Sequence, residues 1–274
     1  IIKSTELPPG NGSTTHKGVF EMKPIKIFDI FPDIYSKGVD AEMQDRTALS
    51  KELHDRTNGL IQLDFGCIEK GSDSIECFYD SAMAIPYILQ KAKWAQNEGY
   101  DAVLLDCFMD PGLGECREYL TMPSFGVCQS ACNLAVRLGG EFSVIGILDD
   151  MDRCIKENLR KYGICNMLAS IPVVDVPVLE LNDNVDVILP QIVAAGKKAV
   201  LEDGAKSLVF GCTGLSPLVN SVKAGLLAEG INVPVIEPLR AALYDAVSCV
   251  LMGVAHSKRA YCDVRSKRRM LDWE

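Results

Sequence analysis

Two cysteines stand where a thiol could move a proton. Cys107 closes the apolar run LLDC (104–107) ahead of FMDPGL, and Cys212 closes LVFGC (208–212) ahead of TGLSPL. Each run ends in a thiol and enters a turn bearing glycine and proline. A thiol at the carboxyl end of a strand, with the next helix starting beside it, meets backbone N–H groups and the positive end of a helix dipole. Such settings lower a cysteine pKa from about 8.5 toward neutrality. A group shared between thiolate and thiol near pH 7 can act as base or as acid. One on each face of a carbon acid would remove a proton from one side and deliver one to the other, with no cofactor. The enolate oxygen formed on the way needs donors. The backbone N–H groups of Phe108, Thr213 and Gly214, with the Thr213 hydroxyl, are the candidates. Asp110 either sets the Pro-Gly turn or orients the substrate.

Such thiols need elements to hold them. From residue 25 the chain alternates short apolar runs with longer stretches of helical spacing, which predicts an α/β fold with mainly parallel sheets. Strands are expected at 25–31, 60–66, 101–107, 123–128, 142–148, 170–179, 207–212 and 233–238. Helices are expected at 41–58, 82–99, 128–140, 151–164, 187–204, 221–230 and 241–256. Pro86 suits a first turn, so the second helix is expected to begin there. The segments EGYDAVLLDC (98–107) and DGAKSLVFGC (203–212) align without a gap, and each leads through a turn and a helix to a run opening with proline, Pro123 or Pro234. This predicts a duplication: two pseudo-symmetric lobes, each ending a strand in a thiol. Ligands of open α/β sheets bind at the carboxyl ends of strands, so two facing lobes would aim both thiols into one cleft.

Composition narrows the partners. The 274 residues carry a net charge of −9, which disfavours nucleic acid and anionic membranes, and the basic run at 256–270 is expected to be a solvated tail or an oligomer contact. No apolar run reaches the roughly 20 residues of a membrane helix and no leader pattern is visible, so a cytoplasmic protein acting on a small molecule is expected. The 11 cysteines include no C-x-x-C pair, which predicts reduced thiols rather than a disulfide scaffold. With 3 histidines and none flanking a cysteine at zinc-finger spacing, no metal is expected. Cys128 and Cys132 are spaced i, i+4 and are expected to pack in the core. No G-x-G-x-x-G or phosphate-loop pattern appears, so no nucleotide cofactor is expected. Residues 1–21 lack periodicity and are expected to be an extension or expression remnant, with Met22 the native start.

The pieces DCFMDPGLGECRE (106–118), PSFGVCQSA (123–131), FSVIGILDD (142–150), VDVPVLEL (174–181), FGCTGLSPL (210–218) and VPVIEP (233–238) resemble, in order, the aspartate/glutamate/hydantoin racemase superfamily. The resemblance is strongest to its hydantoin and allantoin racemase branch. It implies two Rossmann-like α/β lobes, here 22–126 with 237–274 and 127–236, and an active site between them. It implies Cys107 and Cys212 as the two catalytic groups, no pyridoxal phosphate or metal, and a homo-oligomer. The substrate implied is a 5-substituted hydantoin or an allantoin-like ureide. Where branch members carry an asparagine-rich turn this chain has FDIFPD (28–33), which places Phe31, Pro32 and Asp33 at the substrate wall, and it has Gln129 where a glutamate is usual. That altered wall leaves an amino-acid racemase or a specialised isomerase as alternatives, while an aryl-malonate decarboxylase would keep one of the two cysteines. From other classes, a non-catalytic binding protein and a redox sensor stay open.

Overall fold

The computed structural model describes residues 23–181 and 185–269; the expected extension at 1–21 lies outside them. The first half contributes β1 (Ile25–Ile34), α1 (Asp40–Thr57), β2 (Ile61–Ile68), α2 (Phe78–Asn97), β3 (Ala102–Leu105), α3 (Leu113–Tyr119) and β4 (Ser124–Gly126). The second contributes α4 (Val127–Gly139), β5 (Phe142–Ile145), α5 (Asp152–Lys161), β6 (Leu168–Ser170), α6 (Val185–Leu201), β7 (Ser207–Phe210), α7 (Val219–Ala228), β8 (Val235–Ile236) and α8 (Pro238–Met252). Two four-stranded sheets result, ordered β2-β1-β3-β4 and β6-β5-β7-β8. Every pairing within them is parallel. The second order is the first advanced by four strands, so β3 and β7, the strands that lead to the two cysteines, hold equivalent places. In both sheets the order reverses beside that strand, at β1/β3 and at β5/β7, which is where an open α/β sheet forms a crevice.

Burial explains the runs. AVLL of β3 and SLVF of β7 are buried at every position, because helices cover both faces of each sheet. The chain returns at its end to the first sheet, where Leu239, Leu243 and Ala246 of α8 join one core with Ile27, Leu63 and Leu104.

Two expectations are corrected. Helix α2 starts at Phe78, not near Pro86, which lies in its interior. Its start is fixed by Asp80, whose carboxylate accepts the backbone N–H groups of Glu76 and Cys77 at 3.1 and 3.2 Å. The strand expected at 170–179 shrinks to β6, one bridge between Gly146 and Val173, and a short 3-10 turn at Val178–Glu180. Pro172 and Pro177 remove the N–H groups a continuous ladder would need. Among the described residues no helix is long and apolar enough to cross a membrane.

Candidate active site

Beyond β3 the ladder carries one more bond, from Asp106 N–H to the Ile30 carbonyl at 2.9 Å, and the chain then turns. Cys107 opens that turn: its carbonyl accepts the Asp110 N–H at 2.9 Å and its Sγ lies 3.5 Å from the Met109 N–H. Beyond β7 the Gly211 N–H bonds the Ile145 carbonyl at 2.8 Å, and Cys212 starts a 3-10 turn over Thr213–Leu218. The Gly214 N–H points at its sulfur. Both thiols border one cavity of about 30 Å³ between the sheets, whose lining includes Phe108, Thr213, Asp33, Glu42 and Asp106. Ile75, Ile147, Met151 and Val178 supply its apolar side.

Thiols near neutrality were expected; the narrow cavity holds them higher. Burial pushes Cys107 well up, with the Asp33 carboxylate adding to it, and the Met109 N–H pulls weakly the other way. Burial likewise raises Cys212, helped first by Glu42, against the Gly214 N–H. Dehydration and facing carboxylates outweigh the turn N–H groups.

The remaining predicted residues divide. Phe108 and Thr213 line the cavity. Gly214 lies outside the lining, but a Cβ there would lie 3.0 Å from Glu42 Oε1 and 3.5 Å from Cys212 Sγ, so a side chain would fill the gap between acid and thiol. Pro32 is buried in β1 where the register to β2 breaks, and it is the next residue, Asp33, that reaches the cavity. Asp110 also lies outside this lining. Its carboxylate accepts the N–H groups of Cys128 and Gln129 at 2.9 Å each and the Tyr162 hydroxyl at 2.6 Å, which caps α4. Gln129 accepts a bond from Arg117 Nη2 at 2.7 Å.

Sequence reasoning passed over Glu42, Asp106 and the ion beneath them. Arg46 has no exposed surface; its Nε is 2.8 Å from Asp106 Oδ2 and 3.6 Å from Asp29 Oδ2, and its Nη1 is 2.7 Å from Asp45. Burial first, then the charge of Asp106, holds Asp29 well above the usual carboxylate range. Burial raises Glu42 to about 7 although Arg46 opposes it. Burial and then Glu42 raise Asp33. A signal was present: carboxylates inside the apolar runs KIFDIF and VLLDC require a buried cation, and Arg46 lies one helical turn after Glu42. Among the described residues no group of three or more metal-binding side chains is arranged around a common point.

Two α/β sheets of the same strand order, each delivering a thiol to a shared cavity, define an enzyme of the racemase and isomerase class. Residues 47–246 match the Asp/Glu/Hydantoin racemase family, and the chain belongs to it. It is 33% identical over 190 residues to the hydantoin racemase of Paenarthrobacter aurescens, covering 69% of this chain and 78% of that one. It is 33% identical over 185 residues to the hydantoin racemase of Rhizobium meliloti, covering 68% of this chain and 75% of that one. Among solved structures, the allantoin racemase from Klebsiella pneumoniae superposes with a TM-score of 0.81 at 26% identity, covering 91% of this chain and 97% of that one.

Proposed function

We propose that this racemase inverts a carbon acid next to a carbonyl through Cys107 and Cys212, without a cofactor, and that its substrate is a 5-substituted hydantoin or an allantoin-like ureide. The observation that carries the reading is the arrival of both thiols at one cavity from equivalent strand ends. One sulfur, as thiolate, takes the α-proton and becomes a thiol; the C–H electrons pass into the carbonyl as an enolate. The opposite thiol gives its proton to the other face of the carbon and becomes the thiolate. No atom is gained or lost. The Thr213 hydroxyl and the N–H groups of the two cysteine turns are the donors for the enolate oxygen. The substrate class is supported by the hydantoin and allantoin racemases to which the chain is similar. A homo-oligomer belongs to the same reading; a sedimentation mass above the 29.9 kDa of one chain supports it and a monomer removes that part.

The test is incubation in D2O with enantiopure 5-substituted hydantoins, allantoin, aspartate and glutamate, following the α-proton by NMR and the rotation by polarimetry. Matched loss of both signals on a hydantoin or on allantoin is expected. Cys107→Ser and Cys212→Ser should each lower racemisation at least about 100-fold with the fold intact. Each should still exchange one enantiomer, and opposite ones. Turnover confined to aspartate or glutamate would replace the substrate, and binding without exchange would make the chain a binding protein. Wild-type rates in both variants would remove the thiols from the mechanism.

A further inference from the structure

Above about pH 7, where Glu42 gives up its proton, the cavity between the thiols favours donors over negative charge. Asp33, Glu42 and Asp106 line it, and among the described residues no lysine, arginine or histidine does. Arg46 lies beneath it, with its Nε on Asp106 and its Nη1 on Asp45, while its Nη2 is buried without a partner. Two acceptors in this lining are unmet: Asp33 Oδ1 and Asp106 Oδ1 are buried and lack a hydrogen-bond partner. Asp33 is 9% exposed, so bulk water does not serve it. An unpartnered buried acceptor is costly, and the group that relieves it must come with the guest.

We infer that Asp33, with Glu42 and Asp106, selects a substrate that presents N–H groups to these acceptors and bears no negative charge. The inference rests on the proposed racemisation and narrows it. A ring holding a urea or imide N–H beside its acidic carbon meets both conditions. A guest carrying a carboxylate meets acids on one side, apolar side chains on the other, and no counter-ion. Like charges brought together in a dehydrated site weaken binding steeply. Of the residues expected at the wall, Phe31 is instead buried against Phe65 and Arg46 and lies outside the lining, and Asp33 supplies a grip of one sign.

A matched pair of substrates isolates the charge: 5-(2-carbamoylethyl)hydantoin and 5-(2-carboxyethyl)hydantoin differ by an amide against a carboxylate of nearly the same shape. At pH 8 the wild type should exchange the amide with a kcat/KM at least about tenfold above that of the acid, with the difference mainly in KM. Asp33→Asn and Glu42→Gln should each narrow that ratio several-fold by improving KM for the acid. Equal turnover of the pair by the wild type overturns the inference, as does a ratio that neither folded variant moves. Calorimetric titration of both compounds into wild-type protein separates this outcome from failure of the racemisation itself. Binding of the amide over the acid with no exchange supports the selectivity and removes the reaction. Equal binding, or binding of neither, overturns the selectivity whatever the chemistry, and needs no variant to fold.

Discussion

At Glu42 burial outweighs the nearest cation, and the consequence reaches beyond the site. Its carboxyl holds its proton up to about 7 in the folded chain, against 4.5 for the free group. Between those values the folded state keeps a proton that the unfolded chain has released, so stability falls as pH rises through the window. Above it the full cost stays, about 3 kcal/mol by linkage. Glu42→Gln removes the charge and keeps the shape. We expect the variant to be about 2–3 kcal/mol more stable than wild type at pH 8, and the gap to close toward pH 4.5, as read by urea unfolding at both pH values. An unchanged gap at the two would mean that Glu42 is ionised or hydrated in the native protein. His256 has the opposite sign. Burial, then Arg117, depresses it from 6.5 to about 4, and its Nε2 accepts the Ser124 N–H at 3.0 Å. Its contribution is full above pH 6.5 and is lost as pH falls toward 4. Acid should therefore release the segment around His256, and the protection of the Ser124 amide relative to its intrinsic exchange rate should fall below about pH 5 before global unfolding.

Helix α4 shows what an element asks of a single residue. Its first N–H groups have no capping side chain of their own and are met by Asp110, from the turn after Cys107. Gly126, just before the helix, leaves room for that carboxylate, which a Cβ would overlap. Asp110→Ala would strip two N–H groups and the Tyr162 hydroxyl of their buried partner and should cost about 2–3 kcal/mol of stability. Asp110→Asn should recover part of it, and kcat of the folded variants should change less than tenfold. A large loss of kcat in a fully stable Asp110→Asn would instead give it a part in orienting the substrate. The same element marks how far sequence could be followed. Strand and helix order, the repeat that equates β3 with β7, and the two thiols were legible, because buried parallel strands are continuous apolar runs and local spacing reports helices. The start of α2 was not, since a cysteine-aspartate cap resembles no usual N-terminal signal and Pro86 offered a stronger one. Nor was the rest of the acidic wall beyond Asp33, because Glu42 and Arg46 sit in a helix whose polar sequence looks solvent-facing. Only the fold reveals that this turn of α1 points inward, toward Asp29 and Asp106.

In the molecule as a whole the cavity is narrow. Its volume of about 30 Å³ suits a water-sized guest, and a five-membered ring with a side chain needs several times more. Admitting it requires the walls to move apart. The chain passes between the sheets at β4 to α4 and at β8 to α8, and these two helices pack together. Away from these passages the segment 171–181 crosses to the first sheet's side. There the Val178 N–H donates to Glu76 Oε1 at 3.1 Å, and Leu179 lies so close to Gly38 that a Cβ would stand 2.7 Å from it. Val178 is itself part of the cavity wall, so the bond ties that wall to the segment ahead of α2. Glu76→Ala should loosen it at little global cost, because one partly exposed hydrogen bond contributes about 1 kcal/mol. In a Cys77→Ser, Cys262→Ser background, which removes the two exposed thiols, iodoacetamide should modify Cys107 and Cys212 several-fold faster in the Glu76→Ala protein. Peptide mass spectrometry reads the two sites separately. Acceleration at both, with KM raised and the melting temperature nearly unchanged, is what an opening motion of the whole molecule demands. Acceleration at Cys107 alone would reduce the motion to the turn that bears it, and unchanged rates at both would place the entry elsewhere.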